Sequence, residues 1–362
     1  MKLYKTYLLF SALALLLSAC SAPTPASTPT SVPSPTPSGP AALTVMTHDS
    51  FAVTEDLVRK FEADNHVKIT FVKSGDAGAA LNKAILTKNA PAADVFYGLD
   101  NTFLSRALHE DIFESYAAPA LAQIPDAFKL DPTNQALPVD YGDVCVNYDK
   151  AYFQSKGLAL PATLEDLAKP EYKDLLVVEN PATSSPGLSF LLATIAHFGP
   201  DKYLAYWDSL KQNGVVVVNG WEAAYYTNFS ASTGKGPQPL VVSYATSPAA
   251  EVVFAQTPPA DAPTGSLVGP QACFRQVEFV GIIKGTPQRK LAEKFVDFML
   301  SKPFQEDMPL QMFVYPVIQD AALPEAFQKF AQVPAEPASL APDQIAQNRE
   351  KWINAWTDAI LK

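Results

Sequence analysis

The sequence predicts an α/β protein of two lobes, each a mixed, mainly parallel sheet flanked by helices, with a ligand cleft between them. Three observations predict this. Short apolar runs of strand length alternate with amphipathic stretches of helix length through most of the chain. A crossover helix is what returns a chain to start a parallel neighbour, so this order favours parallel strands covered by helices. The 320 residues from 43 to 362 are globular in composition and long enough for two lobes. Two longer strand-like stretches, 139–148 and 273–283, are placed where the chain would cross from one lobe to the other and back.

The chain opens with Lys2 and Lys5, followed by the apolar run YLLFSALALLL over residues 7–17. That run is too short for a permanent membrane span and reads as a cleavable export signal over residues 1–19. Leu17-Ser18-Ala19-Cys20 resembles a bacterial lipobox. The resemblance implies cleavage before Cys20, lipidation of that cysteine, and an extracytoplasmic protein attached to a bacterial membrane. The alternative is an ordinary signal peptide with an incidental cysteine. Residues 21–42 are almost all Ser, Thr, Pro and Ala. Such a segment has nothing to bury, and proline blocks backbone pairing, so residues 20–42 read as a tether able to extend roughly 60–70 Å.

The first lobe is assigned to residues 43–142. LTVMT (43–47) is a strand, and Thr54 is placed to cap a helix with Glu55 and Asp56 at its positive end and Leu57, Val58 and Phe61 on its apolar face. VKITFV (67–72) is a strand, GAALNKAILTK (78–88) a helix and ADVFYGLD (93–100) a strand. The second lobe, 143–275, carries a strand at 175–179, helices at 184–199 and 201–214, and strands at 215–219 and 239–244. Residues 276–362 return to the first lobe and supply C-terminal helices. One of these spans 288–301, and the last places Trp352 and Trp356 one turn apart. An aromatic pair at that spacing reads as a packing face.

Composition bounds the function. Hydrophobic residues make up 48% of the chain and charged residues 18%, enough apolar content for a sizeable core. The formal net charge is −10, and Lys and Arg are not clustered, which argues against nucleic acid or anionic lipid as a partner. Beyond Cys20 only Cys145 and Cys273 remain, and in an oxidising compartment they are candidates for a disulfide. Histidines 48, 66, 109 and 197 have no metal-ligand spacing, and neither a metal nor a cofactor is expected. The chain shows no Gly-x-Ser-x-Gly elbow, Cys–His pair or paired-acid motif, so an enzyme is not expected.

In open α/β sheets ligands sit beyond the carboxyl ends of strands, which directs attention to the loops 48–52, 98–102, 183–187, 219–226 and 243–248. Those loops carry Asp49-Ser50-Phe51, Gly98-Leu99-Asp100-Asn101, Thr183-Ser184-Ser185-Pro186-Gly187-Leu188, Gly220-Trp221 with Ala224-Tyr225, and Ser243-Tyr244 followed by Thr246-Ser247-Pro248-Ala249. Asp140-Tyr141-Gly142, Gln276-Val277-Glu278 and Tyr315-Pro316-Val317 complete the set. In this order and spacing the chain resembles the thiamine-binding substrate-binding proteins of ABC transporters over essentially all of residues 43–362. The resemblance implies a periplasmic-binding-protein (Venus-flytrap) fold, capture of thiamine or its phosphates, and delivery to a membrane permease with a cytoplasmic ATPase. The chain is expected to act as a monomer. It departs from the family pattern at Ala182, where Arg is frequent, at Phe313, where Trp is frequent, and after Phe51, where a Trp often follows.

The same residues can be read from chemistry. Thiamine joins a flat aminopyrimidine to a permanently cationic thiazolium, so its site needs aromatic faces and a carboxylate. The candidate aromatic contacts are Phe51, Tyr141, Trp221, Tyr225, Tyr244, Phe313 and Tyr315, with Ser247 beside them. The candidate carboxylates are Asp49, Asp100 and Asp140. Ser184, Ser185 and Gly187 at a helix start would suit a phosphate, because free N–H groups and the helix dipole favour anions there. Structural readings stand beside these. Asp49 and Asp100 fit turn caps, Asp140 and Glu278 fit hinge hydrogen bonds, and Ser184 or Ser185 fits a plain N-cap. The rival ligand is ferric iron, raised by the adjacent Tyr225 and Tyr226, or another small cation such as a polyamine.

Overall fold

A computed structural model describes residues 41–231 and 235–362. The expectations for the signal peptide, for Cys20 and for the tether as far as residue 40 lie outside the described residues. Ala41 and Ala42 are already strand, paired with Val67 and Lys68.

The first elements are β1 (Ala41–Thr47), α1 (Glu55–Asn65), β2 (Val67–Lys73), α2 (Ala77–Leu86), β3 (Val95–Asp100), α3 (Leu104–His109) and β4 (Phe113–Glu114). Next come β5 (Leu137–Asp149), α4 (Lys150–Lys156), β6 (Leu176–Glu179), α5 (Ser185–Phe198), α6 (Tyr203–Gln212) and β7 (Val216–Val218). After them follow β8 (Leu240–Tyr244), α7 (Ser247–Val253), β9 (Thr264–Leu267), β10 (Phe274–Ile283), α8 (Arg289–Met299) and α9 (Lys302–Gln311). The chain closes with β11 (Tyr315–Pro316), α10 (Glu325–Phe330) and α11 (Pro342–Ile360). The strands run in the order β2-β1-β3-β10-β5-β8-β6-β7, and off this path β4 pairs with β10 while β9 and β11 pair with β5.

Both ends of this sheet are parallel, as strand–helix alternation requires. β1 runs parallel to β2 and β3, and β6 runs parallel to β7 and β8. The middle is antiparallel: β10 lies between β3 and β5, and β5 pairs onward with β8. These are the two long strands that the sequence placed at the crossings. They carry one sheet through both halves of a two-lobed α/β fold.

Two large apolar cores support the sheet, one within the first half and one that spans both halves. One gathers Leu43, Val45, Tyr97, Val139 and Val280 beneath Phe61, Phe295 and Phe304. The larger runs from Phe96 and Phe103 through Leu191 and Trp207 to Trp356. Helix α5 is buried through its first eleven residues, Ser185 to Ile195, and is accordingly apolar nearly all round. Trp356 meets Trp207 edge-on at 5.3 Å, and Lys211 Nζ donates to Ala359 O at 2.6 Å, so α11 closes against α6. Trp352 and Trp356 are core residues, as their spacing indicates.

Two local features differ from the simple reading. Thr54 occupies the N-cap position of α1, yet its side chain makes no cap bond. It donates instead to Asp307 Oδ1 at 2.6 Å, and its N–H donates to Asp307 Oδ2 at 2.9 Å. The start of α1 is thereby tied to α9. Cys145 on β5 and Cys273, the residue before β10, are disulfide-bonded with their Cα atoms 4.4 Å apart. The bond links the two crossing strands directly.

Candidate functional site

A cavity of about 470 Å³ opens beside the crossing strands. That volume lies in the range that holds a vitamin-sized ligand. Its wall takes Ser185 and Pro186 from the start of α5, Trp221 and Tyr225 from the turn after β7, Tyr244 and Ser247 around the end of β8, and Phe313 before β11. All of these except Phe313 follow strands or begin helices, where a doubly covered α/β sheet leaves its loops open.

The aromatic wall is organised by hydrogen bonds. Trp221 stacks on Tyr225 at 4.9 Å with planes 15° apart. Its Nε1 donates to Ser243 Oγ at 2.9 Å, and that hydroxyl lies 2.9 Å from Ser247 Oγ. Tyr225 OH donates to Glu251 Oε1 at 2.6 Å, and Tyr226 stands edge-on to both rings. Tyr244 OH donates to Gln276 Oε1 at 3.1 Å. Burial holds the Tyr225 and Tyr244 hydroxyls well above the usual phenol range, so both remain neutral donors. Phe254 and Phe313 touch at 4.9 Å and bring α7 against the segment that precedes β11.

Six of the sequence candidates therefore line the cavity: Ser185, Trp221, Tyr225, Tyr244, Ser247 and Phe313. The other eight do not. Asp49 Oδ1 accepts the Gly75 N–H at 2.8 Å and braces the loop after β2. Phe51 is buried between Phe71 and Tyr97, because its ring faces the core of the first half. Asp100 Oδ1 accepts from the Thr102 N–H and hydroxyl at 2.8 and 2.6 Å, which is turn chemistry. Asp140 is fully buried and accepts from Tyr97 OH at 2.6 Å. Tyr141 lies stacked between Phe128 and Tyr315, with the Arg275 guanidinium 5.2 Å from its ring centre, so Tyr141 and Tyr315 are engaged with each other.

Ser184 is the N-cap of α5, accepting the Gly187 N–H at 3.5 Å. Gly187 is a packing position: a Cβ there would stand 2.5 Å from Glu179 O, a backbone atom that cannot swing away. Gly187→Ala is expected to lower stability by about 1–3 kcal/mol, an overpacking cost. An unchanged denaturation midpoint in urea would contradict this.

Sequence reasoning missed Asp76, His48, Glu222 and Glu251 as site residues and read Glu278 as a hinge hydrogen-bonding residue; all five line the cavity. Asp76 caps α2, its Oδ1 accepting the Ala77 N–H at 2.7 Å, and a cap was the only signal its sequence context offered. Its Oδ2 reaches 145 residues along the chain to accept the Trp221 N–H at 2.9 Å. Burial pushes its carboxyl above the ordinary range, offset in part by these two N–H groups, the Ser184 hydroxyl and the Ser185 N–H. An acidic side chain of the protein itself thus occupies the helix start where a ligand phosphate was expected. Asp76, Glu222, Glu251 and Glu278 are acidic, and the described lining residues include no Lys or Arg. Aromatic faces, neutral phenols and carboxylates together suit an organic cation.

Comparison with known proteins agrees with this chemistry. Residues 90–352 match the model of the family described as bacterial extracellular solute-binding protein. A thiamine-binding periplasmic protein of Salmonella typhimurium is 33% identical over 88% of this chain and 94% of its own length. A protein of the same description from Escherichia coli is 32% identical over the same shares. Among solved structures, a periplasmic thiamin binding protein superposes with a TM-score of 0.76 at 29% identity, covering 91% of this chain and 99% of its own.

Proposed function

We propose, from the premise that this chain belongs to the bacterial extracellular solute-binding protein family, that it captures thiamine outside the cytoplasm and delivers it unchanged to the permease of an ABC importer. The observation that carries this is the cavity wall, with Trp221, Tyr225 and Tyr244 beside four carboxylates and no basic side chain. Thiazolium is a permanent cation on a flat ring system, and such a wall lowers its energy through ring faces and the acidic groups beside them. The protein acts as a monomer, held on a bacterial membrane through lipidated Cys20 by the Pro-rich tether. Its lobes are residues 43–142 with 276–362, and 143–275. They close over the ligand by bending β5 and β10 near residues 140–146 and 274–280.

Calorimetric titration of the purified protein, unfolded and refolded to strip carried ligand, tests the reading. Thiamine is expected to bind with a sub-micromolar Kd. Thiamine monophosphate and diphosphate are expected to bind progressively more weakly, because each adds negative charge to an acidic cavity. A folded protein that binds none of the three would overturn the vitamin reading. Tighter binding of the diphosphate would overturn the charge argument and leave the vitamin in place.

A further inference from the structure

Glu278 is the centre of a row of three carboxylates. On β10 it lies directly across from Asp140 of β5 on one side and Asp100 of β3 on the other. All three residues are buried, and of the three only Glu278 lines the cavity. Tyr97 OH stands between two of them, 2.6 Å from Asp140 Oδ2 and 3.3 Å from Glu278 Oε2. A phenol has one proton to donate, so it cannot satisfy both acceptors. His48 Nε2 lies 3.5 Å from Glu278 Oε1, but burial holds its imidazole down at about 4, so it brings no charge near neutral pH.

Among the described residues no Lys or Arg forms an ion pair with Glu278, Asp140 or Asp100. Arg275, on the same strand, is bound twice to Asp143, at 3.0 and 2.8 Å. Arg349 of α11 acts on Asp100 and is bonded to Glu350, and Lys73 acts on His48 alongside Asp49. From β8, Tyr244 presents a neutral phenol, on which Asp76 at the start of α2 also acts. Buried carboxylates in hydrogen-bond reach of one another do not all ionise; protons remain on the row. Burial and the neighbouring Asp140 together push the Glu278 carboxyl well above the ordinary range, and burial raises Asp140 to about 6.

We propose that Glu278 holds a proton before the ligand arrives and releases it to solvent when an organic cation settles against it, so that capture is coupled to loss of one proton. This rests on the proposed cationic ligand. A permanent positive charge in the cavity neutralises Glu278 in place of the proton, and Asp140 behind it keeps its bond to Tyr97. The ligand binds the ionised form. Affinity therefore rises with pH through the titration of Glu278 and levels off above it, with about a tenfold loss per pH unit on the acidic side. The coupling also selects against neutral analogues, which cannot replace the proton.

The test is calorimetry of thiamine binding to the full chain between pH 6 and 9, repeated in buffers of different ionisation heat to count protons. The expected result is release of close to one proton per thiamine at the acidic end, falling to none at the alkaline plateau. Glu278→Gln is expected to release no proton from this site. Its pH profile should be flat apart from any titration of thiamine itself, with affinity at least roughly tenfold weaker at the plateau. Thiamine binding with no proton release, or equal release by Glu278→Gln, overturns the inference and leaves the vitamin reading standing. No binding by folded protein at any pH overturns the vitamin reading and the coupling with it. The wild-type proton count does not depend on the variant folding.

Discussion

Trp221→Ala is expected to weaken thiamine binding by roughly 30- to 150-fold, about 2–3 kcal/mol, the size of effect expected when a stacking ring is removed from a desolvated cationic site. The loss belongs to the ring. The Trp221 N–H that binds Asp76 is a backbone group and survives the change, so α2 and the β7 turn stay joined. What disappears is the indole face, its bond to Ser243, and the support it lends to Tyr225. Trp352→Ala is the control. That residue is buried on α11 against the larger core, and truncating it is expected to lower stability by about 3–5 kcal/mol while folded molecules bind thiamine as before. Titration of both variants at a temperature where circular dichroism shows them folded decides the matter. Equal affinity losses would remove Trp221 from the site.

Loss of the disulfide is the second large effect. Cys145 and Cys273 are 128 residues apart, so their bond closes a long loop of the unfolded chain. In the chain-entropy account a loop of this length is worth about 4–5 kcal/mol, within a usual range of about 2–5. Cys145→Ala/Cys273→Ala, or reduction of the wild type under native conditions, is expected to lower the urea midpoint by a corresponding amount. The effect reaches the site because the bonded residues sit on β5 and beside the start of β10, the strands that carry Asp140 and Glu278. Thiamine affinity measured on the folded double variant separates the two contributions. A midpoint unchanged by the substitution would show that packing of β5 against β10 suffices without the bond.

The acids in and beside the cavity behave differently as sequence signals. Asp100 and Asp140 were visible as candidates because they follow or lie on strands, and both turned out to face inward. Asp76 and Glu278 line the cavity, but the first offered only a cap and the second only a place for hinge hydrogen bonds. Asp76 sits in a capping context before α2, and Glu278 is one of several polar residues on a strand that reads as a crossing. Glu222, in a loop already singled out, was overshadowed by Trp221 beside it. Two of the helices missed in the sequence have simple causes. α9 holds Pro303 and Pro309, which mask its period, although Pro303 falls in the first turn where no N–H is needed. α7 begins Ser-Pro-Ala-Ala and offers little amphipathic contrast.

By itself the sequence determined the alternation that produces two parallel sheet margins, the two strands that cross, the packing face of Trp352 and Trp356, and the loops that hold Trp221, Tyr244 and Ser247. These follow from local rules, because period and capping act over a few residues and set which face of an element is apolar. Only the tertiary structure decided that Phe51 turns into the core, that Tyr141 and Tyr315 stack on each other, that Asp76 crosses to Trp221, and that Glu278 rather than Asp140 lines the cavity. Each of these depends on what stands opposite a side chain after distant segments close together. Spacing along the chain specifies a face but carries no information about the partner it will find there.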